Sequence, residues 1–143
     1  MDEKIFHVDI ITPRQVVFNG DVIDFAAPGA DGGFEILKNH TAFISSIRIG
    51  ELRLRHPDGY DEYYATSGGF VEVRDNKVTF LAETCEKAAD IDVNRAKQAH
   101  ERARKRMEDR SNYDPKQATE ALQRASNRLQ IAEKYVKDHS PAR

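Results

Sequence analysis

One short segment, Glu86-Lys87-Ala88-Ala89-Asp90-Ile91-Asp92, divides this chain into two kinds of sequence. All eight glycines precede it. Before it, apolar and polar residues alternate in short runs broken by Gly, Pro, Asp and Asn. After it, Ala, Arg and Glu recur at helical spacing. Side chains of a strand alternate between two faces, whereas a helix repeats every 3.6 residues, so a change of period marks a change of architecture. The chain is therefore predicted to be a β unit over residues 1–86 and a helical arm over 87–143.

In the first part, Phe6, Val8 and Ile10 fall on one face of a strand, with His7 and Asp9 on the other. Further strand-like runs follow, separated by turn residues every 8–12 positions. Asn19-Gly20, Asp58-Gly59 and Asp75-Asn76 read as hairpin turns, because these residues tolerate positive φ. The glycines at 29, 32 and 33 read as a flexible loop. About nine short strands in this pattern predict an antiparallel β-sandwich. No long crossover is visible, which argues against parallel pairing.

In the second part, Asp90 or Asp92 is expected to cap a helix reaching about Glu108, with Val93, Ala96, Ala99, Ala103 and Met107 on one face. Asp114-Pro115-Lys116-Gln117 restarts a helix with Asp at the N-cap, Pro at N1 and Gln in the capping-box position. This second helix is expected to run to about Asp138. Its apolar positions, Ala118, Leu122, Ala125, Leu129, Ala132 and Val136, form a heptad seam. So short a link predicts an antiparallel two-helix hairpin. A buried alanine contributes about 0.8 kcal/mol, less than half of what a leucine contributes. A seam this rich in alanine predicts weakly paired helices and an arm that a ligand or partner can open.

Charge follows the same division. Residues 1–85 carry 8 Lys and Arg against 14 Asp and Glu, net −6, while residues 86–143 carry 14 against 10, net +4. A basic arm on an acidic body is suited to a negatively charged partner or ligand, although solvation alone also accounts for a charged helix face. The single cysteine, Cys85, excludes an internal disulfide and a thiolate metal centre. No apolar run approaches the roughly 20 residues that span a bilayer. With no leader pattern at its N-terminus, the chain reads as soluble, without direct membrane insertion.

No P-loop, nucleophile elbow or metal-ligand spacing is present, and no catalytic set is expected. The arginines are more informative. Arg95 and Arg102 share one face of the first helix, and Arg124 and Arg128 share one face of the second. In an antiparallel hairpin the four converge into a phosphate-binding set with forked donors, with Asp92 placed to meet an adenine amino group or to orient Arg95. Alternatively, the same arginines cover the alanine seam with their stems.

Several segments together resemble the epsilon subunits of bacterial F-type ATP synthases over essentially the whole chain. They are Phe6-His7-Val8-Asp9-Ile10-Ile11-Thr12-Pro13, the stretch Pro28–His40, Ser67-Gly68-Gly69-Phe70-Val71-Glu72-Val73, and Ile91-Asp92-Val93-Asn94-Arg95-Ala96. The resemblance implies a non-catalytic rotor subunit, peripheral to the cytoplasmic face of the bacterial inner membrane. Its sandwich would bind the gamma subunit and rest on the c-ring through the loop holding Gly29, Asp31, Gly32 and His40. Its arm would extend to an acidic segment of the catalytic β subunits through Arg104, Lys105 and Arg106, inhibiting ATP hydrolysis. It further implies no required cofactor, and ATP as a candidate regulatory ligand. Glu86, Ile91, Asp92, Arg95, Ala96, Arg102, Arg124 and Arg128 match the family's ATP-binding positions. Two departures stand near the ring-facing edge: Glu35 where the family usually has Gly, and Thr41-Ala42 where it has Ala-Pro. The rival readings are a stand-alone nucleotide sensor and an adaptor whose basic arm binds nucleic acid. The second is disfavoured because the arm has only Tyr113 and Tyr135 for base stacking.

Overall fold

A computed structural model describes residues 3–136. The chain divides into two compact units, 1–87 and 88–143.

The first unit contains eight strands: β1 (Phe6–Ile11), β2 (Val16–Val22), β3 (Asp24–Gly29), β4 (Gly32–Ile36), β5 (Phe43–Ile47), β6 (Gly50–Arg55), β7 (Asp61–Arg74) and β8 (Lys77–Lys87). They form a β-sandwich whose core is filled from inward-facing alternate positions, among them Val8, Ile10, Phe25, Leu54, Tyr64 and Phe80. The face expected for β1 is the buried one, with Phe6, Val8 and Ile10 all inside.

The fourteen-residue β7 replaces two expected strands and accounts for eight strands rather than nine. Its first half pairs with β6, from Asp61 opposite Arg55 to Thr66 opposite Gly50. Its second half pairs with β5, from Gly69 opposite Ile47 to Val73 opposite Phe43. β8 follows it along both halves, and the register shifts at Thr66–Gly69. Gly68 and Gly69, with φ of +121° and +144°, let the strand change partners there.

Other expectations change in detail. Asn19-Gly20 is not a hairpin turn but lies inside β2, where Asn19 faces Asp9 and Gly20 faces Val8. The turn after β1 is Thr12–Gln15, closed by a Thr12 N–H bond to the Gln15 carbonyl at 2.9 Å and by the Thr12 hydroxyl. A side chain that accepts from its own turn outcompetes a turn-prone dipeptide that has ladder partners on its neighbour. The stretch at 29–33 is not a flexible loop: Gly29 pairs with Gly32 across a two-residue turn. Asp58-Gly59 and Asp75-Asn76 do form turns, the latter with both residues at positive φ. One pair is parallel, β1 with β8. All the strands between them serve as its crossover, so no helix is needed. Finally, β8 extends to Lys87, one residue past the expected end of the β unit.

The second unit opens with a 3₁₀ turn, Ala88–Asp90, followed by α1 (Val93–Glu108) and α2 (Pro115–Tyr135). Asp92 caps α1 by accepting the Arg95 N–H, and Asp114 caps α2 by accepting the Lys116 N–H. The two helices pack against each other as a hairpin. Ala96 and Ala103 of α1 are buried, as are Ala118, Ala125 and Ala132 of α2. Leu122 and Leu129 are only half-buried and Val93 is exposed, whereas Ile131, outside the expected heptad, is buried. Small residues on the seam bring the helices close, which leaves longer neighbours at its margins. The position expected for the end of α2, Asp138, lies outside the described residues.

A β-carbon on Gly69 would lie 2.1 Å from the Leu81 carbonyl oxygen, whereas one on Gly33 would make an ordinary contact at 3.7 Å. Gly69→Ala is expected to destabilise the protein by at least about 3 kcal/mol and Gly33→Ala by less than about 1 kcal/mol, compared by urea denaturation.

Candidate functional site

On the hairpin, helical phase decides where the arginines fall. Arg95, Arg102 and Arg124 each immediately precede a buried alanine, and Arg128 follows Ala125 by three positions. In an antiparallel pair, the position preceding the seam lies on the same side of both helices. The four arginine positions thus share one side of the hairpin, with Arg95 and Arg102 exposed and Arg124 and Arg128 half-buried. Asp92 stands at the head of the row, its Oδ1 accepting the Arg95 N–H at 3.0 Å. Ile91 and Ala96 are buried. The first α1 amides, a carboxylate and four guanidinium positions make a side suited to an anionic ligand carrying an amino group. Glu86 belongs to β8 of the other unit, where it pairs with Ala65.

Of Arg104, Lys105 and Arg106, the first is paired within its own helix. Arg104 donates to Glu101 at 2.6 Å and to Glu108 at 2.8 Å. The Arg106 guanidinium carbon lies 5.0 Å from the centroid of the Tyr113 ring. Lys105 is exposed.

On the sandwich, Gly29 is buried at the end of β3, Asp31 is exposed in the turn, and Gly32 begins β4 at φ +129°. The turn is braced by Ala30 N–H donating to Ser46 O at 2.9 Å and by Arg48 Nε donating to Gly29 O at 3.2 Å. His40 lies apart from it, its Nδ1 2.7 Å from the Thr41 carbonyl and its ring edge-on to Phe43.

Sequence reasoning missed a surface. Ile11, Leu81, Phe70 and Ser46 form one row across β1, β8, β7 and β5. Phe70 is 57 % exposed and Leu81 55 %, and they line a shallow apolar groove with Pro13, Ile47 and Gly68. The available signal was alternation, since Val71 and Val73 point inward and Phe70 therefore points out. At the far end of β7, Glu62 accepts from Tyr64 at 2.9 Å and lies 2.9 Å from His56 Nε2 and 3.1 Å from Lys87 Nζ. Burial pushes its carboxyl up, but these three partners outweigh that and hold it below the usual glutamate range. Burial also pushes the Cys85 thiol up to about 12, which makes it unreactive. Among the described residues no group of three or more His, Cys, Asp or Glu is arranged to hold a metal, and no described helix is long and apolar enough to cross a membrane.

Residues 5–88 match the family described as ATP synthase, Delta/Epsilon chain, beta-sandwich domain. Residues 89–133 match its companion, the ATP synthase, Delta/Epsilon chain, long alpha-helix domain. The chain belongs to the ATP synthase delta/epsilon family. It is 42 % identical over 135 residues to the ATP synthase epsilon chain of Syntrophomonas wolfei, covering 94 % of this chain and 98 % of that one. It is 42 % identical over 128 residues to the corresponding chain of Halalkalibacterium halodurans, covering 88 % and 96 %. Among solved structures, a chain of the Euglena gracilis mitochondrial ATP synthase, OSCP/F1/c-ring assembly matches with a TM-score of 0.74 at 20 % identity, over 89 % of this chain and 80 % of that one. At that identity the likeness concerns the fold.

Ile131 is the one large aliphatic side chain of α2 that is fully enclosed among the described residues. As a buried large-to-small change, Ile131→Ala is expected to destabilise the helical unit by about 2–4 kcal/mol. Amide hydrogen exchange of α1 and α2 should accelerate accordingly, while that of β7 and β8 stays unchanged.

Proposed function

We propose that this chain is the epsilon-type central-stalk subunit of a proton-translocating F-type ATP synthase, non-catalytic itself. The sandwich couples the gamma subunit to the c-ring, and the arm restrains ATP hydrolysis. The observation that carries this reading is the match of both family domains, in order, along residues 5–133. In its assembly the subunit sits peripherally at the cytoplasmic face of the bacterial inner membrane.

Each surface has a task in this reading. The exposed Phe70–Leu81 row and its groove offer gamma an apolar docking face on a rigid sheet. The braced turn at Gly29–Gly32 and the segment around His40 face the c-ring loops. The arm holds two states. Closed, it is a hairpin whose alanine seam supplies little pairing energy, and its arginine side with Asp92 receives ATP as a regulatory ligand. Open, it extends to an acidic segment of the catalytic β subunits through Arg104, Lys105 and Arg106. Opening exchanges the Arg104 ion pairs with Glu101 and Glu108 for pairs with that partner. These exposed intrahelical pairs are screened by solvent and weak, so they are readily exchanged. A ligand seated on the closed hairpin stabilises that state by mass action and so relieves inhibition.

Reconstitution tests these assignments separately. A fragment ending at Lys87 is expected to fold, bind gamma and leave ATP hydrolysis uninhibited; failure to bind gamma would defeat the stalk reading. Phe70→Lys with Leu81→Lys should weaken gamma binding at least tenfold while changing stability by about 1 kcal/mol or less. By calorimetry, Arg95→Ala and Arg128→Ala should each weaken ATP binding about 10- to 100-fold. Absence of any ATP binding by the full chain would remove the ligand role and leave the stalk role standing.

A further inference from the structure

The outer face of β4, β3, β6 and β7 carries a charged cluster that neither the docking face nor the arm uses. Strand registers set it out in two rows. Glu35, Ala26, Arg53 and Tyr63 form one; Asp24, Arg55 and Asp61 continue the next across β3, β6 and β7. Asp24 points away from the core, since its neighbour Phe25 points in, yet Asp24 is only 4 % exposed. The long arms of Arg53, Arg55 and Glu35 cover it, made possible by the small side chain of Ala26 between them.

The geometry within the cluster is uneven. Arg53 Nη2 lies 3.0 Å from both Asp24 Oδ1 and Glu35 Oε2. Its hydrogen bond goes to Glu35. Asp24 Oδ1 is left without a hydrogen-bond partner, as is the buried Arg53 Nε. Arg55 lies 3.7 Å from Asp24 Oδ2 but is committed to Asp61 through bonds of 2.7 and 3.2 Å. A sealed carboxylate facing one guanidinium that is shared and one that is engaged elsewhere is under-compensated. A second carboxyl, Glu35, is gathered to the same guanidinium nitrogen, 3.0 Å from it as Asp24 is. Two carboxyls so placed settle by keeping one proton between them.

We propose that Asp24 and Glu35 together bind one proton beneath Arg53, and that this proton fastens β4 to β3. Protonated Asp24 donates to the Glu35 carboxylate, which Arg53 holds from the other side. Without the proton the two carboxylates repel across Ala26, and Arg53 alone bridges them. The β3–β4 hairpin, with its Gly29–Gly32 turn, is then held less firmly. Burial first, and the neighbouring Glu35 second, raise Asp24 from the ordinary 3.8 to about 6, while its hydrogen bond with Asp24 holds Glu35 below the usual glutamate range. Because Asp24 holds its proton more tightly folded than unfolded, its contribution to stability is full below the ordinary aspartate pKa. That contribution is lost as the pH rises through about 6. Arg53, Arg55, Glu35 and Asp61 are the charged groups facing Asp24 from β6, β4 and β7.

Carbon-detected NMR titration of the side-chain carboxyls in the full-length protein, at fixed ionic strength, tests it. Asp24 is expected to titrate about two pH units above an ordinary aspartate. Glu35→Gln, at an exposed position that leaves the fold intact, should bring that midpoint down by at least about one unit. Amide protection factors of residues 33–36 should fall several-fold as the pH rises through the wild-type midpoint, and Asp24→Asn should abolish that change. If Asp24→Asn does not fold, the Glu35→Gln titration decides alone. Titration of Asp24 with the ordinary aspartates, an unshifted midpoint in Glu35→Gln, or equal β4 protection on both sides of the midpoint would each overturn the proposal.

Discussion

The β unit depends on a single strand that serves two layers. β7 gives its first half to β6 and its second to β5, and β8 accompanies it throughout. The change of partner is possible only where the chain can bend sharply beside its neighbour. Gly68 and Gly69 supply that bend: both have positive φ, and the Leu81 carbonyl stands where a Gly69 side chain would begin. From this bend follow the enclosed core, the outward row of Phe70 and Leu81, and the groove beside it. A strand stiffened on both sides holds its exposed side chains in fixed positions, because they inherit the rigidity of the ladder.

The arm is governed by the opposite economy. Its helices are well capped and built from strong helix formers, and the side chains they bury are mostly alanine, with Ile131 the one large aliphatic side chain of α2 that is buried among the described residues. Alanine burial contributes little per residue, and few large apolar contacts join the two helices. The same close approach of the helices puts the four arginines at the margins of the seam.

Much of this was legible in the residues. The two-part organisation, the inward face of β1, the turns at 58–59 and 75–76, and both helix caps follow from local chemistry that tertiary context does not overrule. What misled were signals with more than one outlet. Asn19-Gly20 is turn-prone, but partners on β1 were available, so it entered a strand. Two apolar runs separated by glycines looked like two strands because a bend and a break have the same composition. The parallel β1–β8 pair was hidden because it joins the two ends of the unit, with every other strand between them. Glu35, a departure from the family pattern, became intelligible only once Arg53 and Asp24 stood beside it.

The sequence by itself determined the kinds of element, their order, and which side of each strand or helix seeks the interior. These rest on period, turn chemistry and capping, all of which act within a few residues. Only the tertiary structure decided that an aspartate on the outer face of β3 would be buried, that Phe70 and Leu81 would stand together in the open, and that Ile131 would be buried. The reason is common to all three. Burial of a side chain depends on what the neighbouring strands and helices place over it, and that neighbour is set by register and packing between segments far apart in the chain.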